Sequence, residues 1–367
     1  MNWSVPVVRS ARKIRVADLF CGCGGLTAGA QRAIAAFGGS MEVAFAIDSD
    51  ATASAVYTEN FESISSSIIS AGVEEMFHVA RGGGSLLRSE RNLLKKYGRI
   101  DVIVAGPPCQ GHSSLNNFSR GADPRNELYW APIRAAMIFS PDVLLIENVP
   151  GVTTSQERVI EGAIECLEKM KYSVSEATVR LSDLGVPQQR RRHVLVATRS
   201  SFSVSDFLHA RHQSETVKVI DAIGDLEDTA GPTHPPLSRT TKLSNENKSR
   251  IDYLFDNDAY DLPDALRPPC HRDKAHSYQS MYGRMYPDRP AQTITGGFGS
   301  MGQGRFVHPT RRRMITAHEA ARIQGFEDAF RFGAAPDITS LRRMIGNAAP
   351  PALAEVLLSE LIERGLL

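Results

Sequence analysis

The sequence predicts an α/β protein in which a mostly parallel sheet carries helices on both faces. Over the first two-thirds of the chain, short apolar runs alternate with segments of helical spacing, and such alternation is typical of parallel sheets covered by helices. From about residue 200 to 310 the periodicity weakens, and Pro, His, Asp, Asn and Arg accumulate. The 367 residues are enough for one large domain and a smaller, irregular second one.

Five short apolar runs predict the strands, because turn-forming residues bound them. They are KIRVADLF (13–20), MEVAFAID (41–48), IDVIVAG (100–106), DVLLIENV (142–149) and RRHVLVAT (191–198). Helical spacing with capping residues, a terminal Gly or an initial Pro predicts the helices. They are GGLTAGAQRAIAAFG, SDATASAVYTENF, residues 126–139, ITAHEAARIQGF and PPALAEVLLSELIERG. The Gly-rich segment ARGGGSLLRSE (80–90) predicts a flexible surface loop.

Composition excludes several functional classes. A net charge of +1, with 42% apolar and 23% charged residues, is ordinary for a globular chain and does not indicate a basic nucleic-acid binder. No apolar run reaches the roughly 18 residues of a membrane span, and the N-terminus lacks a secretory apolar region. Five cysteines without paired C-x-x-C spacing argue against disulfides and for a reducing compartment. We therefore expect a soluble, cytoplasmic protein.

Two further clusters are ambiguous. Cys270, His271 and His276 lack a fourth ligand, so no metal is expected. Arginines are bunched at 190–192, 311–313 and 342–343. Such runs are more often a solvated face than a phosphate-binding site, and the sequence leaves both interpretations open.

The segment DLFCGCGGL (18–26) follows a predicted strand and opens a predicted helix. Glycines there allow a tight turn and a close approach of the backbone to a ligand, and a helix N-terminus favours negative charge. The second strand ends at Asp48, where an acid commonly binds ribose hydroxyls. Thr27 stands where a third glycine would complete G-x-G-x-x-G. The pattern therefore indicates an adenosine-type ligand but leaves a purely structural turn open.

The segment VAGPPCQGHSSL (104–115) puts Cys109 just beyond a predicted strand. In a doubly wound sheet, ligands bind beyond the carboxyl ends of the strands, which is where a nucleophile belongs. A single cysteine is more commonly a small buried hydrophobic residue. Two prolines and polar neighbours favour an open, rigid loop, and hence the nucleophile.

PPCQGHS together with ENVPGV resembles the cytosine-C5 DNA methyltransferases of bacterial restriction–modification or defence type. The ordered motifs of that family are recognisable between residues 17 and 351. DLFCGCGG and AIDSD resemble the two cofactor motifs, GPPCQGHSS and DPRNELYW the catalytic loop and the segment after it, and ENVPGV the catalytic acid. PQQRRR resembles the Q-x-R-x-R element, RPAQTIT the motif before the hinge, and GNAAPP the last motif.

The chemistry of the residues is consistent with this resemblance. C5 of cytosine is a poor nucleophile until a thiolate adds to C6, and an accessible Cys109 can supply that thiolate. The ring accepts the added negative charge more easily if N3 is protonated or hydrogen-bonded, and Glu147 follows the next apolar strand at a suitable place. Because a stacked base is inaccessible, the cytosine must be flipped out of the duplex.

The resemblance implies a Rossmann-like class I methyltransferase fold. Residues 1–200, completed by 340–367, would form the catalytic and cofactor-binding domain, and residues 201–339 a small target-recognition domain with a hinge. It further implies S-adenosylmethionine as cofactor, S-adenosylhomocysteine as product, double-stranded DNA as partner, a monomer, and a cognate restriction or defence system in a bacterial cytoplasm. The target-recognition part proper would lie within 230–285, which holds side chains that read base edges. Because so short a segment can make few base contacts, we expect a short recognition sequence.

Carried over position by position, the resemblance assigns roles to individual residues. The catalytic residues would be Cys109, Glu147, Arg190 and Arg192, with both arginines facing the flipped base and its phosphates. The cofactor residues would be Phe20 against the adenine, Asp48 on the ribose hydroxyls, and Gly22, Gly24, Gly25, Leu26, Ser49, Pro107, Leu128, Asn347 and Ala348. The DNA contacts would be Gln110, Ser113, Gln188, Arg289 and Thr293.

Three alternatives fit the sequence less well. A tRNA cytosine methyltransferase of the same fold carries a Cys-Phe-Thr stretch before its hinge, and this chain does not. A catalytically silent DNA-binding relative is disfavoured by Cys109, Glu147 and Arg190. A nicotinamide-dependent oxidoreductase, which the glycine loop alone would suggest, gives no role to PPCQ or ENV.

Overall fold

A computed structural model of the chain describes residues 12–108, 124–154, 158–211, 216–227, 236–272 and 280–367. The chain divides into two compact units. The first unit contains the described residues of 1–179, 191–212 and 349–367, and the second unit those of 180–190 and 213–348. This division assigns the segment 180–190 to the second unit, whereas the predicted large domain ran without interruption to residue 200.

A seven-stranded sheet forms the centre of the first unit, in the order β3-β2-β1-β4-β5-β7-β6. The strands are β1 (Lys13–Leu19), β2 (Ser40–Asp48), β3 (Ile68–Ser70), β4 (Val102–Ala105), β5 (Val143–Asn148), β6 (Ser173–Arg180) and β7 (Arg191–Thr198). The pairs β1–β2, β2–β3, β1–β4 and β4–β5 are parallel, and β5–β7 is antiparallel. The predicted mostly parallel sheet is confirmed.

Helices cover this sheet and make up much of the second unit. In the first unit they are α1 (Gly25–Ala36), α2 (Ala51–Phe61), α3 (Arg88–Tyr97), α4 (Trp130–Phe139), α5 (Val159–Lys169), α6 (Val204–Arg211) and α12 (Pro351–Glu363). In the second unit they are α7 (Val219–Ile223), α8 (Asn245–Asp256), α9 (Pro269–Arg272), α10 (Ala317–Ile323) and α11 (Ile338–Asn347). None of the helices in the described ranges is long and apolar enough to cross a membrane.

The central strands are buried on both faces. All four residues of β4 and all six of β5 are buried, which is the pattern expected when helices cover both sides of a parallel sheet. The last helix, α12, packs against α1 at Gly29, where an added Cβ would lie 2.0 Å from the carbonyl oxygen of Pro351. A glycine is therefore required for the close approach that fixes the C-terminal helix on the sheet.

The Gly-rich segment 80–90 lies at the surface, but its backbone is held by a buried cation. Arg134 of α4 is fully buried, and its Nη1 donates to the carbonyl oxygens of Gly82 at 2.7 Å and Gly84 at 3.2 Å. Its Nε and Nη2 donate to the two carboxylate oxygens of Glu90, each at 2.6 Å. The prediction of a flexible loop is wrong for this part of the segment, because its carbonyl groups are tied to α4.

In the second unit the arginine run 311–313 is tied to carboxylates. Arg311 and Arg313 contact the buried Glu319 of α10 at 3.3 and 2.8 Å. Burial opposes ionisation of this carboxyl, but hydrogen bonds from Arg313 and His308 outweigh it and hold the pKa of Glu319 well below its usual range. Arg312 contacts Asp252 and Asp256 of α8. Of the two interpretations left open for this run, the contacts favour a structural one.

Candidate functional site at the carboxyl edge of the sheet

The carboxyl ends of β1, β2, β4 and β5 meet at one edge of the sheet, because these strands are parallel. Ligands of doubly wound proteins bind in the crevice outside this edge. Three segments follow these ends directly: the glycine loop 20–24 after β1, Ser49 after β2, and residues 106–108 after β4. The candidate site in the first unit is built from these segments and from the last residues of β5.

The glycine loop has the backbone shape of a ligand-binding turn. Phe20, Gly22 and Gly24 have positive φ values of 59°, 53° and 97°, and the N–H of Gly24 donates to the carbonyl of Cys21 at 2.8 Å. A Cβ on Gly24 would lie 2.3 Å from the ring of Phe61, whereas a Cβ on Gly22 would meet nothing within 4 Å. Gly24 is thus required for packing, and Gly22 leaves open space at the N-terminal end of α1.

Asp48 connects the glycine loop to the turn after β2. Its Oδ2 accepts from the N–H of Gly22 at 2.8 Å, and its Oδ1 accepts from the N–H of Asp50 at 2.8 Å. Burial raises the pKa of the Asp48 carboxyl, and the two backbone donors oppose that rise. Ser49 beside it is exposed. The carboxylate is held in place by backbone groups and keeps further lone pairs for a ligand.

Asp18 is a residue of this site that the sequence interpretation missed. It is fully buried at the end of β1, and its Oδ2 accepts from the hydroxyl of Thr27 at 2.5 Å. Thr27 in turn contacts the hydroxyl of Tyr57 at 2.8 Å. Burial raises the pKa of Asp18 to about 7, and its Oδ1 accepts no hydrogen bond from any described residue. The available signal was a single acid within the otherwise apolar end of a predicted strand.

Cys21 and Cys23 of the glycine loop are buried free thiols. Burial raises the pKa of the Cys23 thiol to about 12 and raises that of Cys21 well above its ordinary value. Both are therefore protonated at neutral pH. A buried, protonated thiol is a poor nucleophile, so neither residue is a candidate for covalent catalysis.

A carboxylate and a guanidinium meet at the end of β5. Because β7 runs antiparallel to β5, Glu147 pairs with Val194, and Arg192 lies two residues before Val194 on the same face. The Nε of Arg192 lies 2.5 Å from the Oε1 of Glu147, and the two side chains are 12% and 11% exposed. The Oε2 of Glu147 accepts no hydrogen bond from any described residue. It lies 3.6 Å from where a Cβ of Gly106 would be.

Asn148 connects this pair to the start of the Pro-Pro turn. Its side chain is buried, its Oδ1 accepts from the N–H of Val149 at 2.7 Å, and its Nδ2 donates to the carbonyl of Pro107 at 3.4 Å. The sequence interpretation gave Asn148 no role. Because Cys109 follows Pro107 by two residues, these contacts fix the point from which the cysteine-bearing segment leaves the sheet.

Gln188 and Arg190 belong to the second unit and are internal. Gln188 is fully buried, donates to the Oε1 of Gln324 at 2.7 Å and accepts from the N–H of Ile294 at 2.8 Å. The side chain has no accessible surface, which favours a structural role, and the contact of Gln188 with DNA stays a prediction. Arg190 is 3% exposed and donates to the carbonyls of Ile294 and Gly346, both at 2.9 Å. These contacts favour a positioning role, and its contact with a base stays a prediction.

The remaining predicted residues fall into three groups. Leu128 packs partly buried against the core of the first unit. In the second unit, Asn347 ends α11 and is exposed, Ala348 is partly buried, Thr293 is partly buried, and Arg289 is exposed and stacks on Tyr286 at 4.1 Å. Cys109, Gln110, Ser113 and His276 lie outside the described residues, as do the side chains of Cys270 and His271. No metal-binding cluster occurs among the described side chains.

Comparison with known proteins gives a consistent result. A family model described as C-5 cytosine-specific DNA methylase matches residues 14–363. The Type II methyltransferase M1.BsuMI of Bacillus subtilis is 41% identical over 353 residues, which cover 95% of this chain and 80% of that protein. The Type II methylase M.HgiDII of Herpetosiphon aurantiacus is 32% identical, with 93% of each protein covered.

Solved structures agree with this comparison. A structure assigned as a DNA modification methyltransferase encoded within an E. coli prophage has a TM-score of 0.65 with this chain at 26% identity. The match covers 95% of this chain and 99% of that one.

Proposed function

Given that the chain belongs to the C-5 cytosine-specific DNA methylase family, and is therefore a methyltransferase that acts on DNA, we propose that it methylates C5 of a cytosine flipped out of a short sequence in double-stranded DNA. The observation that carries this proposal is the Glu147–Arg192 pair at the end of β5. It lies beside Gly106, three residues before Cys109. A carboxyl group at this place can serve the ring nitrogen of a base whose C6 the thiolate attacks.

We propose S-adenosylmethionine as the cofactor. The residues of the first unit fit it: the space over Gly22 can admit a ligand, and the N–H groups at the start of α1 suit its carboxylate. Asp48 would hold the ribose hydroxyls, and Phe20 and Leu26 would pack near the adenosine. The buried carboxyl of Asp18 would support the glycine loop from the interior of the first unit. When bound, the cofactor supplies an electrophilic methyl group.

The chain's own residues would prepare the base. The Cys109 sulfur would form a bond to C6. Glu147 would hydrogen-bond or protonate N3, and this would stabilise the negative charge that the thiolate adds to the ring. Arg192 fixes the Glu147 carboxyl and adds positive charge beside the ring as it gains electrons. After C5 carries the methyl group, a base from the surrounding solvent would take the C5 proton, the C5–C6 double bond would form again as the Cys109 thiolate leaves C6, and any proton on N3 would return to Glu147.

The partners and location of the protein are part of the same proposal. Two relatives are named Type II methyltransferase or methylase, and this supports a place for the chain beside a cognate restriction or defence system. We propose that it acts as a monomer on duplex DNA in a bacterial cytoplasm. The second unit would carry target recognition, through exposed residues such as Arg289.

Single-base methylome sequencing of DNA from cells that express the protein tests the function directly. We expect 5-methylcytosine in one short sequence context, and none in cells that express Cys109→Ala to the same level, because this variant lacks the thiol that activates C5. A Cys166→Ala variant is the matched control, since Cys166 is a free, partly buried thiol of α5. If the wild type and the Cys166→Ala variant leave DNA unmodified, or if Cys109→Ala still methylates, the proposal is wrong.

Cofactor binding has a test of its own. Asp48→Ala is expected to weaken binding of S-adenosylhomocysteine by about 10- to 100-fold, the value of one hydrogen bond to a charged group. Isothermal titration calorimetry measures this, and Asp206→Ala on the exposed face of α6 is the control. Because Asp48 also accepts from Gly22 and Asp50, thermal melting of the variant must accompany the titration. Unchanged affinity would contradict the assignment of Asp48.

A further inference from the structure

Arg342 of α11 is an arginine without a carboxylate partner in the described part of the second unit. Its side chain is partly buried, and its Nε is buried with no hydrogen-bond acceptor among the described residues. Burial lowers the pKa of its guanidinium, and no acidic group opposes that effect. A guanidinium removed from water in this way lacks the compensation that buried charges normally have.

Six other arginines of this unit are paired with carboxylates. Each has a carboxylate within 3.3 Å: Arg284 with Asp258, Arg305 with Asp261, Arg311 and Arg313 with Glu319, Arg312 with Asp252 and Asp256, and Arg322 with Asp225 and Asp328. Arg342 differs from these six because no described carboxylate contacts it.

Two neighbours hold the Arg342 guanidinium in one position. Its Nη2 donates to the hydroxyl of Thr241 at 2.7 Å, and that hydroxyl donates to the carbonyl of Gly299 at 2.6 Å. The guanidinium lies flat against Gly299, because a Cβ added there would be 2.1 Å from its Cζ. Its Nη1 donates to no described residue. The side chain is thus oriented by neutral groups and keeps donors for an external acceptor.

The surroundings add further positive charge. Lys242 follows Thr241, Arg239 precedes it by two residues, and Arg343 follows Arg342 in α11, and all three are exposed. Asp337 at the start of α11 interacts with Arg343. A guanidinium oriented by neutral groups, with further exposed cations near it in the sequence, is typical of a site that binds a phosphate of nucleic acid.

We propose that Arg342 binds a backbone phosphate of the DNA substrate, oriented by Thr241 and given room by Gly299. The proposal rests on the family's action on DNA and adds a specific contact to it. The phosphate would supply the negative charge that the described chain lacks at this position. Such a contact fixes the register of the protein on the duplex but carries no sequence information, so it affects affinity and leaves specificity unchanged.

Salt dependence of DNA binding tests the proposal. Binding of short duplexes of randomised sequence is measured by fluorescence anisotropy between about 50 and about 200 mM salt. Arg342→Gln is expected to lower the slope of log affinity against log salt by about 0.9, the value for one phosphate contact. Its affinity should fall by several-fold at low salt and approach that of the wild type as salt increases.

Three variants complete the experiment. Arg364→Gln removes the same charge from an exposed, ion-paired side chain just after α12 and should leave the slope unchanged. Gly299→Ala displaces the guanidinium without removing it and should lower affinity as Arg342→Gln does. Arg342→Lys keeps the charge and should recover most of the slope.

The outcomes are distinguishable. If Arg342→Gln melts at a lower temperature but keeps the wild-type slope, Arg342 is structural and the proposal is wrong. If the slope is unchanged and the affinity for S-adenosylhomocysteine falls instead, the anion is the cofactor carboxylate and the proposal is again wrong. If the wild type itself binds no duplex DNA, the proposed function fails, and that result is seen before any variant is compared.

Discussion

Replacement of Glu147 with glutamine is expected to lower the rate of methyl transfer by about 10²- to 10⁴-fold, the range for loss of a general acid or base. Glutamine keeps the shape of the side chain but cannot carry a proton to the ring nitrogen of cytosine. It also loses the charge that pairs with Arg192 at 2.5 Å. Because the glutamine amide oxygen can still accept a hydrogen bond from Arg192, the fold should tolerate the change.

Single-turnover transfer of labelled methyl groups to unmethylated DNA measures this effect, with DNA affinity measured separately. Glu42→Gln is the control, since Glu42 is also a strand glutamate bonded to an arginine, Arg15, at 3.1 Å. It lies in β2 toward the opposite edge of the same sheet and should leave the rate unchanged. A Glu147→Gln rate close to that of the wild type, at equal DNA affinity, would remove Glu147 from the catalytic residues.

Replacement of Arg192, the partner of Glu147, gives a related prediction for the rate of methyl transfer. Arg192→Gln should slow the reaction less than Glu147→Gln, because it removes an orienting and electrostatic contribution and leaves the carboxyl in place. The double variant should be no slower than Glu147→Gln alone, since residues that act as one unit are not additive. Additive losses would mean that Arg192 acts on DNA independently of Glu147.

The sequence was sufficient to predict the sheet and the glycine loop. The run RRHVLVAT coincides with β7 (Arg191–Thr198), and the other four predicted strands agree with the structure to within two residues at each end. Strands that are buried on both faces are short continuous apolar runs, and the turn-forming residues that bound them distinguish them from helices. β3 and β6 were missed because β3 has only three residues and β6 alternates polar and apolar residues at the edge of the sheet.

Roles that depend on contacts distant in sequence could not be predicted. Gln188 and Arg190 lie in a polar, arginine-rich segment, and such residues are usually exposed. Their burial results from partners more than a hundred residues away, Gln324 for the amide and Gly346 for the guanidinium. The resemblance identified both residues as part of a motif, but a motif cannot distinguish a side chain that contacts DNA from one that holds the surrounding backbone.

Arg134 illustrates the same limitation within the first unit. In the sequence it is one cation in an apolar helix, and the segment 80–90 is only a glycine-rich stretch. In the structure the Arg134 guanidinium and the segment 80–90 are hydrogen-bonded to each other. The buried guanidinium needs acceptors, and the loop carbonyls and Glu90 supply them. Trp130 packs on the same segment, 3.3 Å from where a Cβ of Gly82 would be. Glycine at this position allows the loop to lie flat against the indole ring.

Loss of the Arg134 guanidinium is expected to destabilise the first unit by about 3–5 kcal/mol, the cost of leaving one member of a buried ion pair without its partner. In Arg134→Ala the Glu90 carboxylate, which is fully buried, would face no cation, and the carbonyls of Gly82 and Gly84 would lose their donor. Urea unfolding followed by the fluorescence of Trp130 measures the change. Arg99→Ala is the control, because Arg99 also contacts two acids but is 66% exposed, and its loss should cost about 1 kcal/mol or less.

The pH dependence of the stability gives a second, independent test of the Arg134–Glu90 ion pair. Burial opposes ionisation of Glu90, but hydrogen bonds from Arg134 and from the N–H groups of Leu87 and His78 outweigh it and lower its pKa from 4.5 to about 2. A carboxyl with a lowered pKa contributes stability that is complete above its unfolded-state pKa and is lost as the pH falls through its folded-state value. Between about pH 5 and pH 2 the wild type should therefore lose stability that Glu90→Gln, already weakened at neutral pH, does not lose. Parallel stability profiles for the two proteins over this range would show that Glu90 is not held ionised by Arg134.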